Sequence, residues 1–137
     1  MIDYTKLQKS IAHLDAQFQN WHTLDKTLPP LLQEAVAESV IQRFEICYDC
    51  TWKVLKRYLA EELGVSDMPN SPKPIFRIAH ENRLFDNIDE WLSYADARID
   101  TAHDYSGEKA CSALALMERF VKDAVALYCV MNGKEWT

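Results

Sequence analysis

Apolar residues recur along this chain at the spacing of an α-helix. Between residues 4 and 24 they come at alternating steps of four and three, on one face of a helix. Comparable patterns cover 30–63, about 71–84, 87–99 and 106–132. No stretch alternates with the period of two that a strand requires. The sequence predicts an all-α fold, a four- to five-helix up-and-down bundle, as one domain over residues 1–137.

Glycine and proline mark the ends of these helices. The prolines at 29–30 stop the first helix and can open the second, because proline is tolerated in a first turn. Gly64 is suited to end the second helix in a left-handed conformation. Residues 67–74 are predicted to be a loop, in which Ser71 is a candidate N-cap for the third helix.

The second predicted helix carries apolar residues in steps of four, among them Val36, Val40, Phe44 and Tyr48. A step of four exceeds the ~3.6 residues of a helical turn, so the apolar stripe winds around the helix. We therefore expect this helix to contact different partners at its two ends, or to bend near Cys47–Cys50.

Composition narrows the classes of function. The 137 residues suffice for a domain with its own core. No apolar run reaches the ~18–20 residues that cross a bilayer, and the N-terminal residues lack the pattern of a signal peptide. We therefore expect a cytoplasmic protein with reduced cysteines. The net charge of −6 weakens non-specific binding to nucleic acid, so an RNA ligand would need a local basic patch or a partner's surface.

One short segment gathers side chains that core packing does not explain. Arg98, His103 and Tyr105 bring a guanidinium, an imidazole and a phenol into eight residues. On an ideal helix, Arg98 and His103 would point about 140° apart. Either the helix ends between them, or a second copy of the chain completes the site. Asp104 and Gly107 favour the helix end, because both residue types are poor in helix interiors.

The spacing Arg98-x4-His103-x-Tyr105 resembles the signature of HEPN domains, specifically the branch paired with a minimal nucleotidyltransferase and labelled nucleotidyltransferase substrate-binding proteins. The resemblance extends over most of the chain. It includes Arg43-Phe44-Glu45, Trp52-Lys53 and Lys56 in the second helix, Ser71-Pro72, Phe76-Arg77 and Ala79 in the third, and Asp89 and Trp91 ahead of Arg98. Ile99 and Ala102 depart from the family, which usually has a polar residue, commonly Asn, after the Arg and often Ser before the His.

The resemblance implies a helical bundle that forms a homodimer and is encoded beside a small nucleotidyltransferase. Many HEPN proteins are metal-independent endoribonucleases, and some are toxins whose antitoxin is the nucleotidyltransferase. Arg98 would then stabilise the phosphorane-like transition state, and His103 would transfer the proton at the 2′-hydroxyl or the leaving oxygen. Tyr105 matches the position that the partner would adenylylate. We expect neither a cofactor nor a metal.

Two other interpretations stay open. Ile99 and Ala102 favour a non-catalytic subunit that binds a nucleotide or substrate for the nucleotidyltransferase. In the third interpretation, Arg98 and His103 only stabilise a helix end or the interface of a dimeric scaffold.

The remaining polar clusters have less specific interpretations. The candidates for binding RNA phosphates are Lys73, Arg77, Arg83, Lys53 and Lys56, with a solvated surface as the alternative. Glu45 and Asp49, one turn apart, are interpreted as carboxylates of the helix surface or of a dimer contact. Cys47 and Cys50 form a CxxC without a second such pair, which favours buried thiols over a metal or redox site.

Overall fold

The computed structural model describes residues 1–103 and 107–136, and all of the regular structure there is helical. The helices are α1 (Thr5–His22), α2 (Pro30–Glu61), α3 (Pro72–Glu81), α4 (Ile88–His103) and α5 (Gly107–Asn132). The all-α helical bundle predicted from the sequence is therefore confirmed. None of the described helices is both long enough and apolar enough to cross a membrane.

Helix α5 runs opposite in direction to both α1 and α4. The hydroxyl of Tyr4, just before α1, donates to the carbonyl of Met131 near the end of α5 at 3.3 Å. Lys109 at the start of α5 lies 4.0 Å from Asp100 near the end of α4. The short helix α3 packs against α2 and α4. The candidate residues on α4 are thus placed beside both α2 and α3.

Helix α2 is the central element, since it contacts each of the other four helices. Val40, Phe44, Leu55 and Leu59 of its apolar stripe are buried, whereas Trp52 is only partly buried. Leu32 near its start and Leu63 just after its end are 52% and 42% exposed. That the two ends of the winding stripe meet different partners stays a prediction.

Aromatic side chains form the middle of the core. The fully buried rings are Phe44 and Tyr48 of α2, Phe76 of α3, Trp91 and Tyr94 of α4, and Phe120 of α5. Phe120 meets both Phe44 and Tyr94 edge to face, with ring centroids 5.0 Å apart in each pair. Edge-to-face pairs add to the free energy of burial. Because these rings come from four helices, they fix α4 relative to α2.

Some helix ends follow the predicted breakers and others do not. Gly64, after α2, has a left-handed φ of 69°. Ser71 precedes α3 in an extended conformation, as predicted for an N-cap, but its side chain makes no capping hydrogen bond. Helix α3 ends at Glu81 rather than at the predicted Leu84, because Arg83 adopts a left-handed φ of 62° that no α-helix accommodates.

Candidate functional site

Arg98 and His103 lie on one uninterrupted helix. Helix α4 runs from Ile88 to His103, so the predicted helix end between the two residues is wrong. Packing accounts for the difference, since Ala97 and Thr101 are buried and the inner face of α4 stays covered into its last turn. That burial outweighs the poor helix propensity of the residues that follow.

The two side chains nevertheless border the same surface of α4. At about 100° per residue, and taking Ala95 as the origin, Arg98 lies about 60° to one side and His103 about 80° to the other. Ile99 and Ala102 fall between them. Arg98 and His103 therefore flank one stripe of small and apolar side chains rather than pointing to opposite faces of the molecule.

This stripe is one wall of a groove with a volume of about 520 Å³. Arg98 and His103 both line it. Tyr48, Asp49 and Trp52 contribute from α2, and residues 71–73 contribute from the start of α3. Ligand sites in proteins are commonly concave, mostly apolar and about 300–1,000 Å³ in volume. The groove has the size of such a site, with an Arg and a His at its border.

Arg98 is held by two carboxylates of α2. Its Nε and Nη2 donate to the two oxygens of Asp49 at 3.3 and 3.1 Å, which is a two-pronged contact. Its Nη1 donates to Oε2 of Glu45 at 3.1 Å. The planar guanidinium favours such paired hydrogen bonds, which fix its orientation as well as its position. Arg98 is thereby oriented at the groove before any ligand arrives.

Glu45 is buried, with 8% of its surface exposed. Its Oε2 accepts a second hydrogen bond, from the hydroxyl of Thr101 at 2.9 Å. A buried carboxylate needs such partners to offset the cost of losing water. The interpretation of Glu45 as a carboxylate of the helix surface is therefore wrong, and the alternative of a dimer contact stays a prediction. Both Glu45 and Asp49 make intramolecular ion pairs with Arg98.

His103 is the last residue of α4 and is exposed to solvent at the border of the groove. An accessible imidazole can exchange protons with a ligand or with water. Tyr105, the candidate for modification, lies outside the described residues.

One of the predicted phosphate-binding residues lines the groove. Lys73 does so, with its Nζ 2.6 Å from Oδ1 of Asp96. Lys56 donates to the side chain of Asn70 at 3.1 Å, and Lys53 is exposed with its ammonium over the Trp52 ring. The other two candidates, Arg77 and Arg83, are exposed and are not among the lining residues. The basic cluster inferred on the third helix therefore does not converge on the groove.

The cysteines give no sign of a metal centre. Cys47 is buried, and burial raises its pKa to about 12. Burial also raises the pKa of Cys50, which is half-buried. Neither thiol is thus a ready nucleophile or metal ligand. Within residues 1–103 and 107–136, no three His, Cys, Asp or Glu side chains are placed to hold a metal ion.

The fold and the groove together place this protein among the all-α bundles in which an Arg and a His border a ligand-sized groove. Residues 2–133 match the family model "Nucleotidyltransferase substrate binding protein like". The chain belongs to this family. The resemblance noted from its motif and second helix is confirmed.

Two known proteins from Haemophilus influenzae are similar to this chain. A "Probable ribonuclease HepT" is 30% identical over 105 residues, covering 75% of this chain and 70% of the relative. The structure of a nucleotidyltransferase substrate-binding domain superimposes with a TM-score of 0.85, at 24% identity, over 95% of this chain and 99% of the other. The second likeness shows the fold alone.

A crystal structure from Thermus thermophilus has the same architecture. It superimposes with a TM-score of 0.71, at 25% identity, over 93% of this chain and 96% of the other. Nearly the whole of each chain takes part in the match. The five-helix arrangement is therefore shared along its length.

Proposed function

We propose that this protein is an endoribonuclease of HEPN type that works with a small nucleotidyltransferase and cuts RNA at the groove between α2 and α4. The observation that carries the proposal is that Arg98 and His103 border one groove. The name of the ribonuclease-like relative adds support. The reaction would proceed without a metal ion, by attack of the RNA 2′-hydroxyl on the adjacent phosphate.

Arg98 would stabilise the negative charge that grows on the phosphate oxygens in the transition state. Its guanidinium stays protonated at all relevant pH values. The contacts to Glu45 and Asp49 would keep it oriented, so that no rearrangement is needed during the reaction. Preorganised charge of this kind is worth more than a flexible surface cation.

His103 would transfer the proton, either from the attacking 2′-hydroxyl or to the leaving 5′-oxygen. Its exposure leaves it accessible to a substrate. An imidazole can accept a proton in one step and donate it in another, as general acid–base catalysis requires.

The working unit we propose is a homodimer in which the ends of the two α4 helices lie close to the two-fold axis and each groove stays open to RNA. Ile46 of α2 is 43% exposed, although isoleucine is among the residues most often buried. A second copy would cover apolar surface of this kind and would bring two Arg and two His together. It would also give RNA a larger binding surface than one acidic chain offers.

The partner we propose is a nucleotidyltransferase encoded nearby, acting in the cytoplasm as an antitoxin that adenylylates Tyr105 and so silences the nuclease. Incubation of the two proteins with ATP is expected to add one AMP to this chain, and Tyr105→Phe is expected to prevent it. Mass spectrometry measures the change. Adenylylation at another residue, or none, would contradict this part of the proposal.

The test of nuclease activity is cleavage of total RNA by the purified protein in EDTA. Wild-type protein is expected to cut RNA, and His103→Ala is expected to lose the activity. His22→Ala is a matched control, because His22 is also an exposed histidine at the last position of a helix. Full activity in His103→Ala would refute the role of this residue.

The second candidate function is a non-catalytic subunit that binds a nucleotide or substrate for the nucleotidyltransferase. Ile99 and Ala102 favour it, since they place apolar side chains between Arg98 and His103. It predicts a stable complex with the nucleotidyltransferase and no RNA cleavage by folded protein. Failure to bind a nucleotidyltransferase encoded nearby would remove this candidate.

A further inference from the structure

The groove offers an aromatic face beside the pair of Arg98 and His103. Trp52 of α2 lines it and is only partly buried, so part of its indole is open to the groove. Ile99 of α4 lines the same space and is 52% exposed. An aromatic ring together with an apolar side chain suits a flat and mostly apolar ligand group.

Two cations line the groove, and each is paired with carboxylates in the free protein. Arg98 is held by Glu45 and Asp49, which leaves Lys73 as the cation that can change its partner more easily. Lys73 pairs with Asp96, but both side chains are well exposed, at 37% and 63%. Exposed ion pairs stabilise proteins little, so Lys73 can exchange this carboxylate for a phosphate at small cost.

Side chains rather than backbone would bind that phosphate. The start of a helix often binds anions through backbone N–H groups. Here Pro72 and Pro74 lie in the first turn of α3 and have no N–H to donate. Lys73 is the cation that the start of this helix offers to the groove.

We propose that the groove is a subsite for one unpaired nucleotide of a single-stranded RNA, whose base stacks on Trp52 while Lys73 pairs with a flanking phosphate. The inference takes its ligand from the proposed function and rests on it. Every nucleobase has a π-face, so stacking would select for unpaired bases rather than for a particular sequence. Ile99, in place of a polar residue, serves the subsite by covering the base.

Binding of an RNA that cannot be cut tests the subsite apart from catalysis. The probe is a fluorescent single-stranded 2′-O-methyl oligoribonucleotide, titrated with the whole protein and followed by anisotropy. Trp52→Ala is expected to weaken binding about tenfold, as is usual when one base loses its aromatic partner. Trp21→Ala is the matched control, because Trp21 is also half-buried beside a lysine, Lys26, but lies on α1 away from the groove. Unchanged affinity in Trp52→Ala, or an equal loss in Trp21→Ala, would overturn the proposal.

Tryptophan emission gives a second measurement that does not require Trp52→Ala to fold. Stacking of a base is expected to quench the emission of wild-type protein, and Trp52→Phe is expected to bind the probe with little quenching. Quenching of the same size in Trp52→Phe would overturn the proposal. So would occupation of the groove by a second copy, seen as RNA affinity that falls when protein concentration rises.

The role of Lys73 has its own comparison. Lys73→Gln is expected to weaken binding about threefold and to reduce the salt dependence by about one ion. Arg57→Gln is the control, since Arg57 is an exposed cation paired with Glu61 outside the groove. Equal effects of the two substitutions would contradict the phosphate contact.

Failure of the subsite and failure of the nuclease give different results. Binding that depends on Trp52, by a protein that cuts no RNA, would keep the subsite and reject the nuclease. Cleavage by a protein whose RNA affinity is unchanged in Trp52→Ala would keep the nuclease and reject the subsite.

Discussion

Arg98 lies between two carboxylates of α2, and Glu45 is the more buried of the two, with 11% of its side chain exposed against 39% for Asp49. Removal of Arg98 would take one charge-assisted hydrogen bond from the carboxylate of Glu45, which also accepts one from the Thr101 hydroxyl. A residue at the groove is thus also part of the structure. Substitutions of Arg98 therefore affect stability together with function.

We expect Arg98→Ala to lower the free energy of unfolding by about 1–3 kcal/mol, because a largely buried carboxylate loses its charged partner. Urea denaturation measures the difference. Arg57→Ala, which breaks the exposed pair with Glu61, is the control and is expected to change stability little. An Arg98→Ala protein as stable as wild type would contradict the structural role of the ion pairs.

Substitution of His103 separates function from stability better than substitution of Arg98 does. It is exposed and lies at the end of α4, so His103→Ala is expected to change stability by about 0.5 kcal/mol or less. Loss of function in His103→Ala can then be assigned to the imidazole itself.

At the scale of helices, α2 depends on how it ends. Gly64 has a φ of 69°, a conformation that residues with a Cβ adopt at a cost. A Cβ at this position would meet no other atom within 4 Å, so the cost of a substitution is one of backbone conformation alone.

We expect Gly64→Ala to destabilise the protein by about 1 kcal/mol, and Gly64→Asn by less, because Asn tolerates the left-handed region. Thermal denaturation of the two variants measures the difference. Equal melting temperatures for wild type and Gly64→Ala would show that α2 does not rely on this terminus.

The helices could be predicted from the sequence because the features that indicate a helix are local. Apolar periodicity and breakers such as Gly64 act within a few residues, and they placed α2 to within two residues of its observed end. Helix α4 departs from the prediction, because burial of Ala97 and Thr101 favours a helix beyond the point where local propensity would have ended it. Tertiary packing commonly overrides propensity in this way.

The site was predictable only in part. The motif singled out Arg98 and His103, but the partners of Arg98 are 49 and 53 residues away in sequence. Two carboxylates one helical turn apart look the same in the sequence whether they lie on a solvated helix face or beside a buried cation. The sequence singled out Trp52 only because its second helix resembles that of the family. That resemblance does not indicate that Trp52 lines a groove.

At the scale of the whole molecule, stability is sensitive to alkaline pH, because cysteine and tyrosine side chains that lose a proton there are buried in the folded protein. Burial raises the pKa of Cys47 from an ordinary 9.0 to about 12. Burial raises the pKa of Tyr94 as well, and its hydrogen bond to Asp123 adds to the effect. Such groups release protons more readily in the unfolded chain, so their contribution to stability is complete below the unfolded pKa and is lost as pH rises.

We expect the free energy of unfolding to fall between about pH 9 and about pH 12, the window set by the unfolded and folded pKa values of Cys47. Urea denaturation at a series of pH values measures the slope. Cys47→Ala is expected to flatten it, whereas Cys111→Ala, at an exposed cysteine, is not. A slope that is the same in all three proteins would show that Cys47 does not contribute.

The RNA substrate that we propose has to bind to a chain that is acidic as a whole. The groove brings together an oriented guanidinium, an accessible imidazole and a partly exposed indole, which can bind RNA locally. An acidic surface with a local site of this kind would favour partner-dependent and local recognition over non-specific RNA binding.

The most direct test is single-turnover cleavage, in EDTA, of one defined single-stranded RNA, alongside the same RNA with a single 2′-deoxy nucleotide at the cleavage position. We predict that wild-type protein cuts the first RNA, leaves 5′-hydroxyl ends and spares the second, and that His103→Ala is slower by about 10²–10⁴-fold. His22→Ala should match wild type. Absence of cleavage by folded wild-type protein, or equal cleavage of the two RNAs, would contradict the proposed chemistry.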